Sequence, residues 1–195
     1  MKINELTGYK NDPHYQKAVE IFKNYRLTVG QKLATFSTYI QEQGFKQLGK
    51  PGVSGMAFEH PTYPWVFKIF TDDNGYLHYF NYAKNNQHNP HVPKVKGNPL
   101  PITSDSFMGN TYLVRIEKLQ EMPHNLKMNP LIGIITSIDS KEDLTPEVKT
   151  TLKRAFPEII EVLEDIVNSG FSVDLHHGNL MIRKNTIVIT DPLLG

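Results

Sequence analysis

The stretch Val173-Asp174-Leu175-His176-His177-Gly178-Asn179-Leu180-Met181-Ile182 decides how the chain is read. It crowds one acid, two histidines, a glycine and an asparagine into six residues, then returns at once to apolar ones. A metal site, a tight turn and a phosphate-transfer loop each begin this way. Working outward, Asp174 and Asn179 are five apart, after a long apolar-patterned segment and before a strand. Asp191 lies twelve residues beyond Asn179, at the end of "LMIRKNTIVIT", which reads as a hairpin turning at Lys184-Asn185. A strand that leads away and one that returns bring Asn179 and Asp191 together. An amide oxygen and a carboxylate are hard donors and can share a magnesium ion with phosphate oxygens and water. Asp174, one short turn away, can accept a hydroxyl proton or orient a nucleophile, and Gly178 allows a tight backbone turn. His176 and His177 have no third ligand at a recognised metal spacing, and adjacent side chains diverge; one of them is expected to order the loop by hydrogen bonding.

Upstream, Asp12-Pro13 opens a helix to about Tyr25, with Asp as N-cap and Pro in the first turn. A second runs from about Gly30 to Gln43, and Gly44 caps it in the left-handed conformation. Three extended runs follow: "FKQLG" (Phe45–Gly49), "MAFEH" (Met56–His60) and "WVFKIF" (Trp65–Phe70). Gly49, Gly52 and Gly55 lie between the first two. Lys68 is the one charge in an apolar strand, either at an edge or pointing into a cleft. A helix is expected at Gly75 to about Asn86, strands near Pro101–Ser104 and Thr111–Glu117, and a short helix over Asn129–Ile138. "EMPHNLKMNP" reads as a loop. A long helix from Thr145 to Ser169 should kink or split at Pro157.

The fold class is α+β: helices, then a five-strand meander with one inserted helix, then helices, a loop and a hairpin, in two lobes with a cleft expected between them. With 39% hydrophobic and 21% charged residues the chain can bury a core. A net charge of +1 offers no field for nucleic acid or an anionic membrane, so neither is an expected partner. No cysteine is present, which removes disulfides and thiolate chemistry and fits a reducing cytoplasm. No run approaches the length of a membrane span, and the start has no apolar core of signal-peptide length.

The order of glycine loop, strand lysine, helix, strands, long helix, D-x-x-x-x-N, hairpin and Asp is the part set of an ATP-dependent phosphotransferase. "DLHHGN" resembles the D-L-H-x-G-N catalytic loop of aminoglycoside and related small-molecule kinases in the protein-kinase-like superfamily. "ITDP" (Ile189–Pro192) is similar to the strand that carries their second metal-binding Asp, and "WVFKIF" to the strand of their ATP-binding lysine. "VRIEKL" (Val114–Leu119) looks like the hinge that meets adenine. The chain is most similar to the early serine/threonine protein kinases of T-seven-like bacteriophages, through "GFKQLG", the glycine/serine loop, the lysine strand, the D-x-H-x-G-N loop and "ITDP".

That resemblance covers about Gly44 to Pro192. It implies a bilobal protein-kinase-like fold with a helical extension (1–44), a small antiparallel-sheet lobe (45–119) and a truncated, mostly helical lobe (120–195). It implies ATP and Mg2+ as cofactors, and phosphorylation of host proteins and of the chain itself in the bacterial cytoplasm during infection. By residue, Gly49, Gly52, Ser54, Gly55, Lys68, Glu117 and Leu119 would hold the nucleotide. Asp174 would be the base, and Asn179 and Asp191 would hold magnesium. The chain departs from the family in Ser172-Val173 before Asp174, in having no Glu between Lys68 and Glu117, and in the three residues after Pro192, which leave no activation loop. Two other readings follow from these features: a pseudokinase that binds and inhibits a host protein, and a small-molecule kinase of the aminoglycoside-phosphotransferase type.

Overall fold

The structure, a computed structural model, describes residues 12–48, 55–102 and 110–194. It is mixed α+β and divides into two compact units: Met1–Asp72 with Lys96–Lys118, and Asp73–Val95 with Leu119–Gly195. One division falls a single residue from the expected boundary at 119, and none falls at residue 44. The N-terminal helices belong to the first unit, and the stretch after Asp72 belongs to the second.

In the first unit, Asp12 caps α1 (Pro13–Phe22) by accepting from Tyr15 N at 3.0 Å. Thr28 and Gln31 form a capping box for α2 (Val29–Glu42). Gly44, at φ +87°, ends that helix as its sequence position predicts. Five strands follow: β1 (Lys46–Leu48), β2 (Gly55–Glu59), β3 (Trp65–Thr71), β4 (Leu100–Pro101) and β5 (Thr111–Glu117). They form one antiparallel sheet in the order β1-β2-β3-β5-β4. The meander is therefore broken once, because β5 and not β4 pairs with β3. A proline has no N–H to donate to a ladder, so the two-residue strand holding Pro101 belongs at the edge. The seven-residue β5, buried over most of its length, takes the inner position.

One face of this sheet packs on the helices. Phe36 meets Phe58 and Phe67 edge-on, at 6.2 and 5.9 Å between ring centroids. Ile69 and Leu113, paired across β3 and β5, join the same core. Arg115 stands opposite Phe67 and so lies on this helix-covered face, only 1% exposed. It donates to Asp12 Oδ2 at 2.7 Å, and its guanidinium sits 3.9 Å over the Tyr15 ring. Tyr63 OH donates to the same Asp12 oxygen. Burial pushes the Asp12 carboxyl up, but the Tyr63 hydroxyl, the Tyr15 amide and Arg115 outweigh it, and the net shift is downward.

Gly55 is fixed by packing. A Cβ there would stand 2.5 Å from Ile69 O, a backbone atom of the neighbouring strand. Gly55→Ala is expected to cost about 1–3 kcal/mol, as overpacking does elsewhere, seen as a lower urea midpoint with unchanged slope.

In the second unit, α3 (Asn74–Asn85) is capped by Asp73, whose Oδ1 accepts from Tyr76 N at 2.7 Å. Gln120–Glu121 forms β6 and His124–Lys127 a short helix, α4, where the sequence suggested only loop. α5 is Pro130–Thr136. The long helix splits as expected at Pro157, into α6 (Pro146–Ala155) and α7 (Ile159–Asn168). Ser172–Val173 is β7, Leu180–Arg183 β8, Thr186–Ile189 β9 and Leu193–Leu194 β10. The hairpin β8–β9 turns at Lys184-Asn185, with Lys184 at φ +58°. Its sheet has the order β6-β8-β9, and β7 pairs with β10 separately. The core gathers Ile132, Ile135, Leu152, Ile159, Leu163 and Ile166 from the helices with Leu180, Ile182 and Ile189 from the hairpin. Among the described residues no helix is long and apolar enough to cross a membrane.

Candidate active site

Leu175 is buried in the core of the second unit and anchors the segment that follows β7. Its neighbours Asp174 and His176 stay partly or fully exposed. The β7–β10 pairing sets Val173 opposite Leu193, and just beyond it Asp174 N donates to Pro192 O at 2.7 Å. On the other side of Asp191, Thr190 N donates to Asn179 O at 2.9 Å, and the Thr190 hydroxyl donates to the same oxygen at 3.1 Å. Asp191 is thus bracketed by two residues whose backbones are bonded to Asn179 and Asp174. Those two also touch directly: Asn179 Nδ2 donates to Asp174 O at 2.8 Å and to Asp174 Oδ2 at 3.0 Å.

These bonds turn the Asn179 amide nitrogen toward Asp174 and leave Oδ1 outside them. Asp191 is half-buried, with Oδ1 shut off from solvent. Burial, with the Asp191 carboxylate adding to it, pushes the Tyr76 hydroxyl on α3 well above the usual tyrosine range. Tyr76 therefore stays neutral beside the site. Among the described residues no group of three or more His, Asp or Glu is placed to hold a metal ion. Asn179 Oδ1 and the Asp191 carboxylate are oxygen donors of the kind magnesium takes. Magnesium is commonly held by one or two such side chains, with phosphates and waters completing its octahedron.

The two histidines have local roles. Gly178 N donates to His176 Nδ1 at 3.0 Å, so a neutral His176 carries its proton on Nε2, which lies 3.5 Å from Asp174 Oδ2. His177 Nε2 pairs with Lys127 O at 3.2 Å, and a carbonyl can only accept, so that nitrogen donates. Gly178 does not adopt a positive φ. What it provides is room, because a Cβ there would stand 2.7 Å from His176 Cε1. It also sits in the tight turn expected from sequence, a 3-10 turn over His177–Asn179 in which Asn179 N donates to His176 O at 2.9 Å. Gly178→Ala is expected to displace the His176 ring, so its cost should shrink in a His176→Ala background. A double-mutant cycle read by urea unfolding should give a coupling of about 0.5–3 kcal/mol.

The remaining expected nucleotide contacts divide between the units. Lys68, Gly55 and Glu117 belong to the first, and Leu119 is the first residue of the second unit's main segment. Gly49, Gly52 and Ser54 lie outside the described residues. Lys68 stands between Ala57 and Val114 on β3, a central strand, and on the face opposite the helix-covered core. An edge-strand explanation for its charge does not apply. Two contributors escaped the sequence reading. Thr190 was signalled only by its place before Asp191, and Tyr76 by nothing local.

No protein-family model, no curated protein and no solved structure matches the chain.

Proposed function

We propose that the chain is an ATP-dependent phosphotransferase with a protein-kinase-like bilobal fold, acting as a phage-type kinase on serine or threonine of bacterial host proteins and on itself. The observation that carries this reading is the bracketing of Asp191 by Thr190–Asn179 and Pro192–Asp174 bonds, with Asn179 held directly on Asp174. That arrangement gives one carboxylate for the attacking hydroxyl and an amide–carboxylate pair for the cation. Magnesium bound by Asn179 and Asp191 would neutralise charge on the transferring phosphoryl group. Lys68, a cation among apolar strand neighbours, supplies a partner for the α and β phosphates. Asp174 orients the hydroxyl and takes its proton.

A second reading has its own observation. α3 reads NGYLHYFNYAKN, has no glutamate to pair with Lys68, and groups with the second unit rather than with the lysine's sheet. That favours a pseudokinase which binds a host protein without transferring phosphate. The D-L-H-x-G-N wording favours a small-molecule kinase of the aminoglycoside-phosphotransferase type.

The test is purified chain with radiolabelled ATP and Mg2+, alone and in a bacterial lysate, beside a thermal titration. Nucleotide at about a hundred times its Kd should stabilise the native state by about 2.7 kcal/mol. Labelled protein bands establish the kinase. A thermal shift without label points to the pseudokinase, and a metabolite label without protein label to the small-molecule enzyme. Neither shift nor label ends the proposal.

A further inference from the structure

The hairpin that carries Asn179 and Asp191 at one end has a second feature at the other. Where Pro157 splits the long helix, a cleft of about 230 Å³ opens, lined among others by Pro90, His91, Phe156, Glu158, Asn185 and Thr186. All belong to the second unit. Its volume lies below the roughly 300 Å³ at which drug-sized pockets begin, so it suits a side-chain-sized group rather than a nucleotide.

The walls are firmly held. Asn89, 1% exposed, donates from Nδ2 to Glu158 O at 2.9 Å and accepts from His91 N at 2.8 Å. Arg183 donates to Pro90 O at 2.9 Å and to Val92 O at 2.8 Å. His91 is 3% exposed, and its main-chain oxygen accepts from Ile189 N at 3.0 Å. Its Nδ1 lies 2.8 Å from Ile187 O. A carbonyl only accepts, so Nδ1 carries the proton and Nε2 is a bare lone pair. Burial first, with Arg183 nearby, lowers the affinity of this ring for a second proton, against the smaller pull of the Ile187 carbonyl and Glu158.

Three electron-rich groups thus belong to residues that line the cleft. They are His91 Nε2, the Glu158 carboxylate, and the carbonyl end of α6, whose last residue Ala155 also lines the cleft. A helix C-terminus favours cations. Arg183, and Lys153 and Arg154 in the last turn of α6, oppose this but do not line the cleft, and the Arg183 guanidinium is engaged on two carbonyls. The Phe156 ring, edge-on to His91 at 6.0 Å, supplies apolar surface for an alkyl stem.

We propose that this cleft binds an alkylammonium or guanidinium group, donating N–H to His91 Nε2 and pairing with Glu158. The group can come from a free amine or from a lysine or arginine side chain on a peptide. This proposal is independent of the phosphotransferase reading.

The test is ring-nitrogen NMR of the full chain labelled at histidine, titrated at neutral pH with n-butylammonium chloride. A saturable shift of the His91 Nε2 signal is expected. Glu158→Gln, at an exposed position, should weaken it about tenfold, the equivalent of one charge-assisted hydrogen bond. Tetramethylammonium has the same charge and no N–H, and should give no comparable shift. A blocked Ala-Lys-Ala peptide that binds more tightly than butylammonium identifies a peptide side chain as the source; weaker binding identifies a free amine. No saturable change at His91, an equal response to tetramethylammonium, or an unaltered affinity in Glu158→Gln overturns the proposal.

Discussion

Asp174→Asn is expected to lower phosphate transfer by about 10²–10⁴, the range for losing a positioned general base, while leaving the Mg-ATP thermal shift close to wild type. The Asn179 amide bonds both the Asp174 main-chain oxygen and its carboxylate. An asparagine at 174 keeps the first bond and offers its own amide oxygen for the second, so the loop should hold its shape while losing the charge. Asp191→Ala should behave differently. On the proposed assignment it removes one of two oxygen donors to magnesium, so the magnesium-dependent part of the thermal shift should fall together with transfer, the latter by at least about a hundredfold. The contrast between the variants is the informative result. If Asp174→Asn transfers phosphate at the wild-type rate, Asp174 is not the base. If Asp191→Ala leaves the magnesium dependence intact, the cation is held elsewhere.

The second large effect is on stability. Asp12→Ala should destabilise the first unit by about 3–5 kcal/mol, because it leaves Arg115 buried without its carboxylate. That is a substantial part of the 5–15 kcal/mol typical of a domain. Arg115 is 1% exposed and Asp12 5%, so solvent screens the pair little. Tyr63→Phe removes only one donor to the same carboxylate and should cost about 1.5–3 kcal/mol. Replacing Asp12 and Arg115 together by apolar residues of similar volume should restore much of the loss. Urea unfolding of the three variants measures this, and a cost under 1 kcal/mol for Asp12→Ala would refute the assignment.

The pH dependence has a definite sign. The folded Asp12 carboxyl titrates below its ordinary 3.8. Its stabilisation is therefore complete above that value and is lost as pH falls through the lower folded one. The stability gap between wild type and Asp12→Asn should narrow on acidification below about pH 4, and not on approach to neutrality.

The candidate site was unusually legible because its residues are local. Asp174, Asn179 and Asp191 lie within eighteen positions, and the hairpin of two four-residue strands returns the chain beside its start, where Thr190 N donates to Asn179 O. Capping and breaking signals were equally readable: Asp12-Pro13, Gly44, Pro157 and the Lys184-Asn185 turn act within a few residues of themselves. The nucleotide-binding residues assigned by resemblance depend on much longer separations.

Local chemistry along the chain thus established most helices, the longer strands, the β8–β9 hairpin and the nearness of Asp174 to Asn179, since each arises from interactions a few residues wide, whereas β6 and α4 were read as loop. The assembled fold alone settled which strand lies inside the sheet, which unit receives α3, why Gly178 must be a glycine, and that Asp12 caps a helix and neutralises Arg115 at once. Asp12 and Arg115 are 103 positions apart. No periodicity or motif spans that distance; only burial of both groups against one sheet face makes them partners.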